Sequence, residues 1–441
     1  MKRKGFLCVL VVSITGFLFG FDSVIVSGIN IPLKQLWHTS DWFHGTFIIS
    51  MVLWGSVTGS LLGGYPTEKL GRKKTLILVG CMFVVSSLGT ALSDSPYMFS
   101  FFRFVGGLGA GVGSIVAPTY ISEVADARHR GRLGMLFQLN LVLGLLLAFL
   151  SNYFFAVSFG ADNWRWMLGI MAVPYSVFTL LLFSISESPR WLILRKRDAA
   201  AAHRVLDRIS KKEEADRLLR TIHTENPSSV YTERLFSQKY TRVLVLSFLM
   251  SFFNQFSGIS FILFYAPEVL AKAGSGTAQS LLSSVAIGLV NVVFTLVGVY
   301  LIDRIGRRRL MYVGSIGYII SLAMIAYGFY VGAPAVFMLV FMLLFITSHA
   351  VGQGAVIFVY MSEIFPTPVR AYGQAWGMGV LNGFAALITL LGAILINAFQ
   401  SWMIFSGFAL LMVLQLLFTA FIMPETKGIS LEELEERLSV K

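Results

Sequence analysis

Twelve stretches of about 18 or more mostly apolar residues run through this chain. They begin near Phe6, Phe43, Thr75, Tyr97, Gly134, Arg165, Thr241, Leu281, Leu310, Pro334, Tyr372 and Trp402. A bilayer core takes about 20 helical residues to cross, and within it every backbone N–H and C=O needs a partner inside its own segment. The runs therefore read as helices and the chain as an all-α membrane protein of twelve spans. Composition agrees: 56% of residues are hydrophobic and 13% charged, against about 45–50% and about 25% in soluble domains.

The formal charge of +12 could suit an anionic partner, but its distribution says otherwise. With a cytoplasmic N-terminus and alternating spans, 31 of the 35 Lys and Arg fall on the cytoplasmic side. Lys34, Arg165 and Lys272 fall on the other side, and Arg103 lies within a span. Such a bias is a topology signal. It places both termini in the cytoplasm and gives no reason to expect nucleic acid. The opening "MKRKGFLCVLVV" imitates a secretory signal but lacks a small-x-small cleavage site, so it reads as the first helix. Cys8 and Cys81 both sit in apolar segments, which points to neither a disulfide framework nor a metal site. No catalytic constellation is visible, so neither an enzyme nor a cofactor is expected.

One inter-span stretch is long and charged, residues 187–240, and it reads as cytoplasmic helices between two six-helix bundles, 1–186 and 241–423, with a tail over 424–441. The halves echo each other. Glu68, Gly71 and Arg72 match Asp303, Gly306 and Arg307 at an offset of 235; Glu123 and Arg130 match Glu363 and Arg370 at 240; Glu187 matches Glu425 at 238. Three pairs at one period point to a duplicated unit. Parallel repeats that rock about a midplane site define a transporter architecture.

The first span carries Asp22 in its middle. A carboxylate at the centre of a membrane helix costs about 2.5–3.5 kcal/mol, so it should face the bundle and find a partner. Arg103 is the one Lys or Arg inside a span. Counting from the non-cytoplasmic ends at 1.5 Å per residue puts Asp22 at a depth of about 12 Å and Arg103 at about 9 Å, close enough to pair. The run "GGLGAGVG" in the fourth span does not fit G-x-G-x-x-G. Gly107/Gly111 and Gly109/Gly113 are small-xxx-small spacings for close helix packing.

The segments "GFDSVIVSGI", "RFVGGLGAG", "ISEVADARHRGRL", "SESPRWL", "NQFSGISFILFYAPE", "DRIGRRR", "SEIFPTPVRA" and "PETKGISLEELE" span nearly the whole chain. Through them the chain resembles the sugar porter family of the major facilitator superfamily, and most of all its bacterial proton-coupled monosaccharide symporters. The resemblance implies a monomeric carrier in a bacterial inner membrane that imports a sugar with a proton. A facilitative uniporter and a non-transporting sugar sensor are the alternatives. In symporters resembling this chain an Asp of the first helix faces an Arg of the fourth, positions held here by Asp22 and Arg103.

Sugars call for amides and aromatic platforms without formal charge. The resemblance places Gln138, Gln255, Tyr265, Asn291 and Gly354 at sugar-binding positions. It also marks departures: Asn254 for a glutamine, Ser260 for an asparagine, Phe264 for a tyrosine, and Phe358 and Asn382 for tryptophans. Ser251, Asn254, Gly258 and Tyr265 step by helical spacings and should share a face of the seventh span. His349 reads as a hydrogen-bonded bundle histidine. In relatives the repeated loop motifs form a cytoplasmic gate that links the halves when the protein is open outward. Its members here would be Glu68, Arg72, Glu123, Arg130, Glu187, Arg190, Asp303, Arg307, Glu363, Arg370 and Glu425.

Overall fold

The computed structural model describes residues 2–125, 130–159, 164–209, 235–366, 369–429, 433–434 and 438. Among them, eleven helices are long and apolar enough to cross a membrane, and a bent pair makes a twelfth span. The first six spans are Arg3–Gly28, the pair Asp41–Ile49 and Met51–Leu62, Arg72–Ala91, Pro96–Val124, Met135–Phe159 and Trp164–Leu182. The last six are Gln238–Lys272, Thr277–Ile305, Arg307–Val331, Ala335–Ile364, Tyr372–Ala398 and Ser401–Phe421. The protein is a multi-pass membrane protein, and the apolar runs fall on these spans.

Besides the sixth span, which is interrupted between Trp164–Gly169 and Ala172–Leu182, three spans are bent or broken. The second bends by 46° where a π-helical turn, His44–Ile49, meets Met51–Leu62. The seventh breaks after Phe256: Gly258 has φ +89°, a backbone conformation closed to most side chains, and a new helix starts at Ile259. The tenth breaks at Gly352, between Ala335–Val351 and Gln353–Ile364. The break at Gly258 corrects one expectation. Residues 251–265 are not one helix, so Tyr265 does not continue the face that carries Asn254.

Within the first half the fourth span packs against the second and third, and the first against the fifth. The two halves meet along the second span against the eleventh and the fifth against the eighth. Close approach is bought with glycine. A Cβ on Gly107 would stand 2.1 Å from the Val52 carbonyl oxygen and 2.9 Å from Gly55 Cα. Gly107→Val should therefore destabilise the bundle by about 3 kcal/mol or more. Thermal melting in detergent checks this against Gly407→Ala, which meets nothing within 4 Å and should leave the melting temperature unchanged.

The repeat is visible atom by atom at the end of the bundle that bears the basic loops. Gly71 and Gly306 both adopt positive φ before the third and ninth spans. In each case a glutamate caps the helix that follows, where unpaired N–H groups and the helix dipole favour a negative charge. Glu187 Oε1 accepts from the backbone N–H of Arg72 at 2.9 Å, and Glu425 Oε1 from that of Arg307 at 3.0 Å. Two short helices after the sixth span, Pro189–Leu194 and Ala199–Ile209, pack against each other and back onto the first half. The Trp191 indole N–H donates to the Glu68 carbonyl at 2.8 Å.

Candidate functional site

The first span carries two different faces. Phe19 and Ser23, four residues apart, line a cavity between the halves. Asp22 lies about 100° around the helix from Ser23 and faces the fourth and sixth spans instead. There Arg103 Nη1 donates to Asp22 Oδ1 at 2.8 Å and Nη2 to the Asp22 backbone carbonyl at 3.0 Å. The Tyr175 hydroxyl donates to the same Oδ1 at 3.4 Å, and the Tyr175 ring stacks on Phe83 with centroids 4.9 Å apart. Asp22 and Arg103 are each 1% exposed. Their pairing was the sequence expectation, and the two side chains meet.

The pair is not fully satisfied. Asp22 Oδ2 and Arg103 Nε are buried without a hydrogen-bond partner. A buried ion pair is strongly destabilised when one member is removed, because the survivor is left charged and dry. An unpaired carboxylate oxygen in that setting is also a place where a proton can land and neutralise the acid.

The cavity is walled by the first, second, fifth, seventh, eighth, tenth and eleventh spans. Of the residues marked for sugar binding or as departures, Gln138, Asn254, Gln255, Ser260, Asn291, Gly354, Phe358 and Asn382 line it. Gln255 Nε2 donates to Asn254 Oδ1 at 2.9 Å, and across the break in the seventh span the Ser260 hydroxyl donates to Gln255 Oε1 at 2.6 Å. The amides on one side of the break are thus oriented by a hydroxyl on the other. Gln138 Oε1 has no partner, and Asn382 Nδ2 donates across the halves to Ser56 at 3.2 Å. Discontinuous helices whose loosened ends meet a midplane cavity are a transporter device.

Tyr265 is the exception. It is 1% exposed, its hydroxyl donates to the Thr389 carbonyl at 2.7 Å, and it lies behind the cavity wall. Its neighbour Phe264 lines the cavity instead. The cause is the break at Gly258, which resets the helical phase. Sequence reasoning also missed Phe19, Ser23, Thr295 and His349 as lining residues. For Ser23 a signal was present, because the residue one step from a bundle-facing acid turns toward a different neighbour.

The gate residues form two matched clusters. Arg72 Nη2 lies 2.9 Å from both Glu68 and Glu123, and Arg307 Nη2 lies 2.7 Å from Glu363 and 3.3 Å from Asp303. Burial pushes the Glu187 carboxyl above its usual range, while N–H bonds from Ser188, Lys73 and Arg72 pull the other way. Each of these contacts stays within its own half. Among the described residues, these ion pairs brace each half. Arg190 sits in the first turn of the short helix Pro189–Leu194, three residues beyond Glu187. The side chains of Arg130 and Arg370 lie outside the described residues.

The halves are instead joined at the opposite end. The Thr39 hydroxyl bonds His44 Nδ1 at 2.9 Å, His44 Nε2 bonds Asn30 Oδ1 at 2.6 Å, and Asn30 Nδ2 donates across the halves to Glu268 Oε2 at 2.9 Å. Asn397 Nδ2 donates across to Asp41 Oδ1 at 3.1 Å, and Asp41 also pairs with Lys34. These bonds hold the two halves together at this end.

The profile of the sugar (and other) transporter family matches residues 8–438. The glucose transporter GlcP of Staphylococcus epidermidis is 33% identical over 99% of this chain and 98% of that protein. The D-xylose-proton symporter of Escherichia coli is 30% identical over 97% of this chain and 94% of its own length. The inward open conformation of the xylose transporter XylE from E. coli superposes with a TM-score of 0.86 at 29% identity, covering 98% of this chain and 100% of that one.

Proposed function

We propose that this chain, which belongs to the sugar (and other) transporter family, imports a monosaccharide together with a proton by alternating access. The observation that carries the proton half of this reading is the buried Asp22–Arg103 pair, whose acid keeps one oxygen unpartnered one residue away from the cavity wall. Relatives named as proton symporters for xylose, arabinose and galactose support it. The basic end is the cytoplasmic one, both termini lie there, and the lipid bilayer is a bacterial inner membrane. The carrier works as a monomer, with residues 1–186 and 241–423 as the rocking halves and 187–240 as their tether.

In this mechanism the amides of Gln138, Asn254, Gln255 and Asn291 bind sugar hydroxyls, and Phe358 supplies an apolar platform. A proton on Asp22 Oδ2 cancels the charge that holds Arg103, and the first span is freed to shift between states. Sugar and proton occupy different faces of that one helix, so its displacement couples them without contact. The matched acid and arginine clusters form the cytoplasmic gate, joining halves only in the conformation open at the other end. Such a state-specific network needs only a few kcal/mol to set the populations.

A facilitative uniporter would share the cavity and differ in energetics. The deciding experiment is uptake into proteoliposomes of xylose, arabinose, galactose, glucose and inositol, with and without an imposed proton gradient. Accumulation of one sugar above its outside concentration only when the gradient is present is the expected result; equilibration alone in both conditions would leave a uniporter. Gln255→Ala removes the amide at the centre of the seventh-span network. Its dissociation constant for that sugar should rise about tenfold to a hundredfold, since two hydrogen-bonded groups lose their partner. Equilibrium binding to purified protein measures the change.

A further inference from the structure

We propose that His349 is a specificity-determining residue that donates a hydrogen bond from Nε2 to a hydroxyl oxygen of the bound sugar. This rests on reading the cavity as the sugar site. The wall that the tenth span contributes is otherwise apolar, made of Ala350, Gly354, Ile357 and Phe358. The amides sit on other spans. His349 is therefore the polar group of that wall, and among the described lining residues it is the one titratable side chain.

Three observations fix what it presents. The Tyr318 hydroxyl lies 2.5 Å from His349 Nδ1 and 3.4 Å from Gln353 Oε1. Phenol is the better donor of the pair and imidazole nitrogen the better acceptor, so the shorter contact takes the Tyr318 proton. Nδ1 is then the acceptor, and the neutral ring carries its hydrogen on Nε2. Second, Gly354 keeps that nitrogen uncovered: a Cβ there would stand 3.1 Å from Nε2 and 3.0 Å from the His349 carbonyl oxygen. Third, Tyr318 is fully buried and packed against Phe345 with ring centroids 4.9 Å apart, so the imidazole is held from behind by a side chain that cannot swing away. Tyr318 is a positioning residue and His349 the contact.

The chemistry selects a neutral sugar with a hydroxyl oxygen facing the tenth span, and it discriminates against an analogue deoxygenated at that carbon. A site built to bond a hydroxyl rejects the ligand lacking it, because its own polar group is left unpaired. The test is equilibrium binding of the best-transported sugar and its set of monodeoxy analogues to wild type, His349→Phe, His349→Gln and Tyr318→Phe, with Gln255→Ala as reference. His349→Phe should weaken the parent sugar about threefold to tenfold and leave one deoxy analogue unaffected, because that analogue has already lost the contact. His349→Gln, which keeps an N–H donor, should recover part of the loss. Tyr318→Phe should show the same analogue pattern at smaller size. Equal loss across all analogues in His349→Phe, or no loss while Gln255→Ala weakens binding, overturns the proposal. If Gln255→Ala has no effect either, the cavity reading falls with it.

Discussion

Asp22→Asn should abolish accumulation of sugar while leaving exchange down a concentration gradient intact. In wild-type proteoliposomes a potential of 100 mV supplies about 2.3 kcal/mol per charge moved, enough for roughly fiftyfold accumulation. Asparagine is isosteric with the acid and can still accept from Arg103, so the 1% exposed site keeps its shape. It cannot take up or release a proton. The internal-to-external ratio should fall to about one, with counterflow close to wild type. Concentrative uptake by Asp22→Asn would sink the coupling role of the pair. The size of the effect follows from geometry: among the described residues Asp22 is the one carboxylate beside Arg103, and no acid lines the cavity that could substitute.

The second large effect comes from the end where Asn30 and Glu268 join the halves. Cysteines at Asn30 and Glu268, in a background with Cys8 and Cys81 replaced, sit where a 2.9 Å hydrogen bond now joins the halves. A short bifunctional thiol reagent should close that pair and drop uptake to the level of empty vesicles, and a cleavable reagent should restore it on reduction. Sugar binding to the cross-linked protein should persist, because the cross-link lies outside the residues that line the cavity. The neighbouring Asp41 and Asn397 offer an independent pair with the same expectation. Cross-linked protein that still transports at a normal rate would rule out alternating exposure through this end.

Much of this architecture was legible because lipid simplifies the problem. Long apolar runs admit only helices, and an intramembrane Asp demands a partner, which left Arg103 as the answer. Repeated loop motifs announced the duplication, and Glu187 and Glu425 do occupy equivalent caps. What escaped was local. The turn at Gly258 is written in one residue with no side chain, and "SFFNQFSGISFILFYAP" reads as continuous helix unless its positive φ is known. That single break put Tyr265 behind the wall. His349 escaped because a histidine in an apolar span looks the same in sequence whether it faces a neighbour or a cavity; its Tyr318 partner is 31 residues away. The repeated acids and arginines do pair within each half, but sequence does not say in which conformation they would join the halves.

The Asp22–Arg103 pairing has an electrical consequence. With the acid ionised the two charges cancel, and the amide-lined cavity adds none. Under the proposed coupling, the empty carrier would cross between its states as a neutral object, with membrane voltage neither speeding nor slowing its return. With a proton on Asp22, Arg103 would be uncompensated and the loaded carrier would move as a cation. An interior-negative potential would then act on the inward, loaded step alone, and one salt bridge would serve as the diode of the cycle.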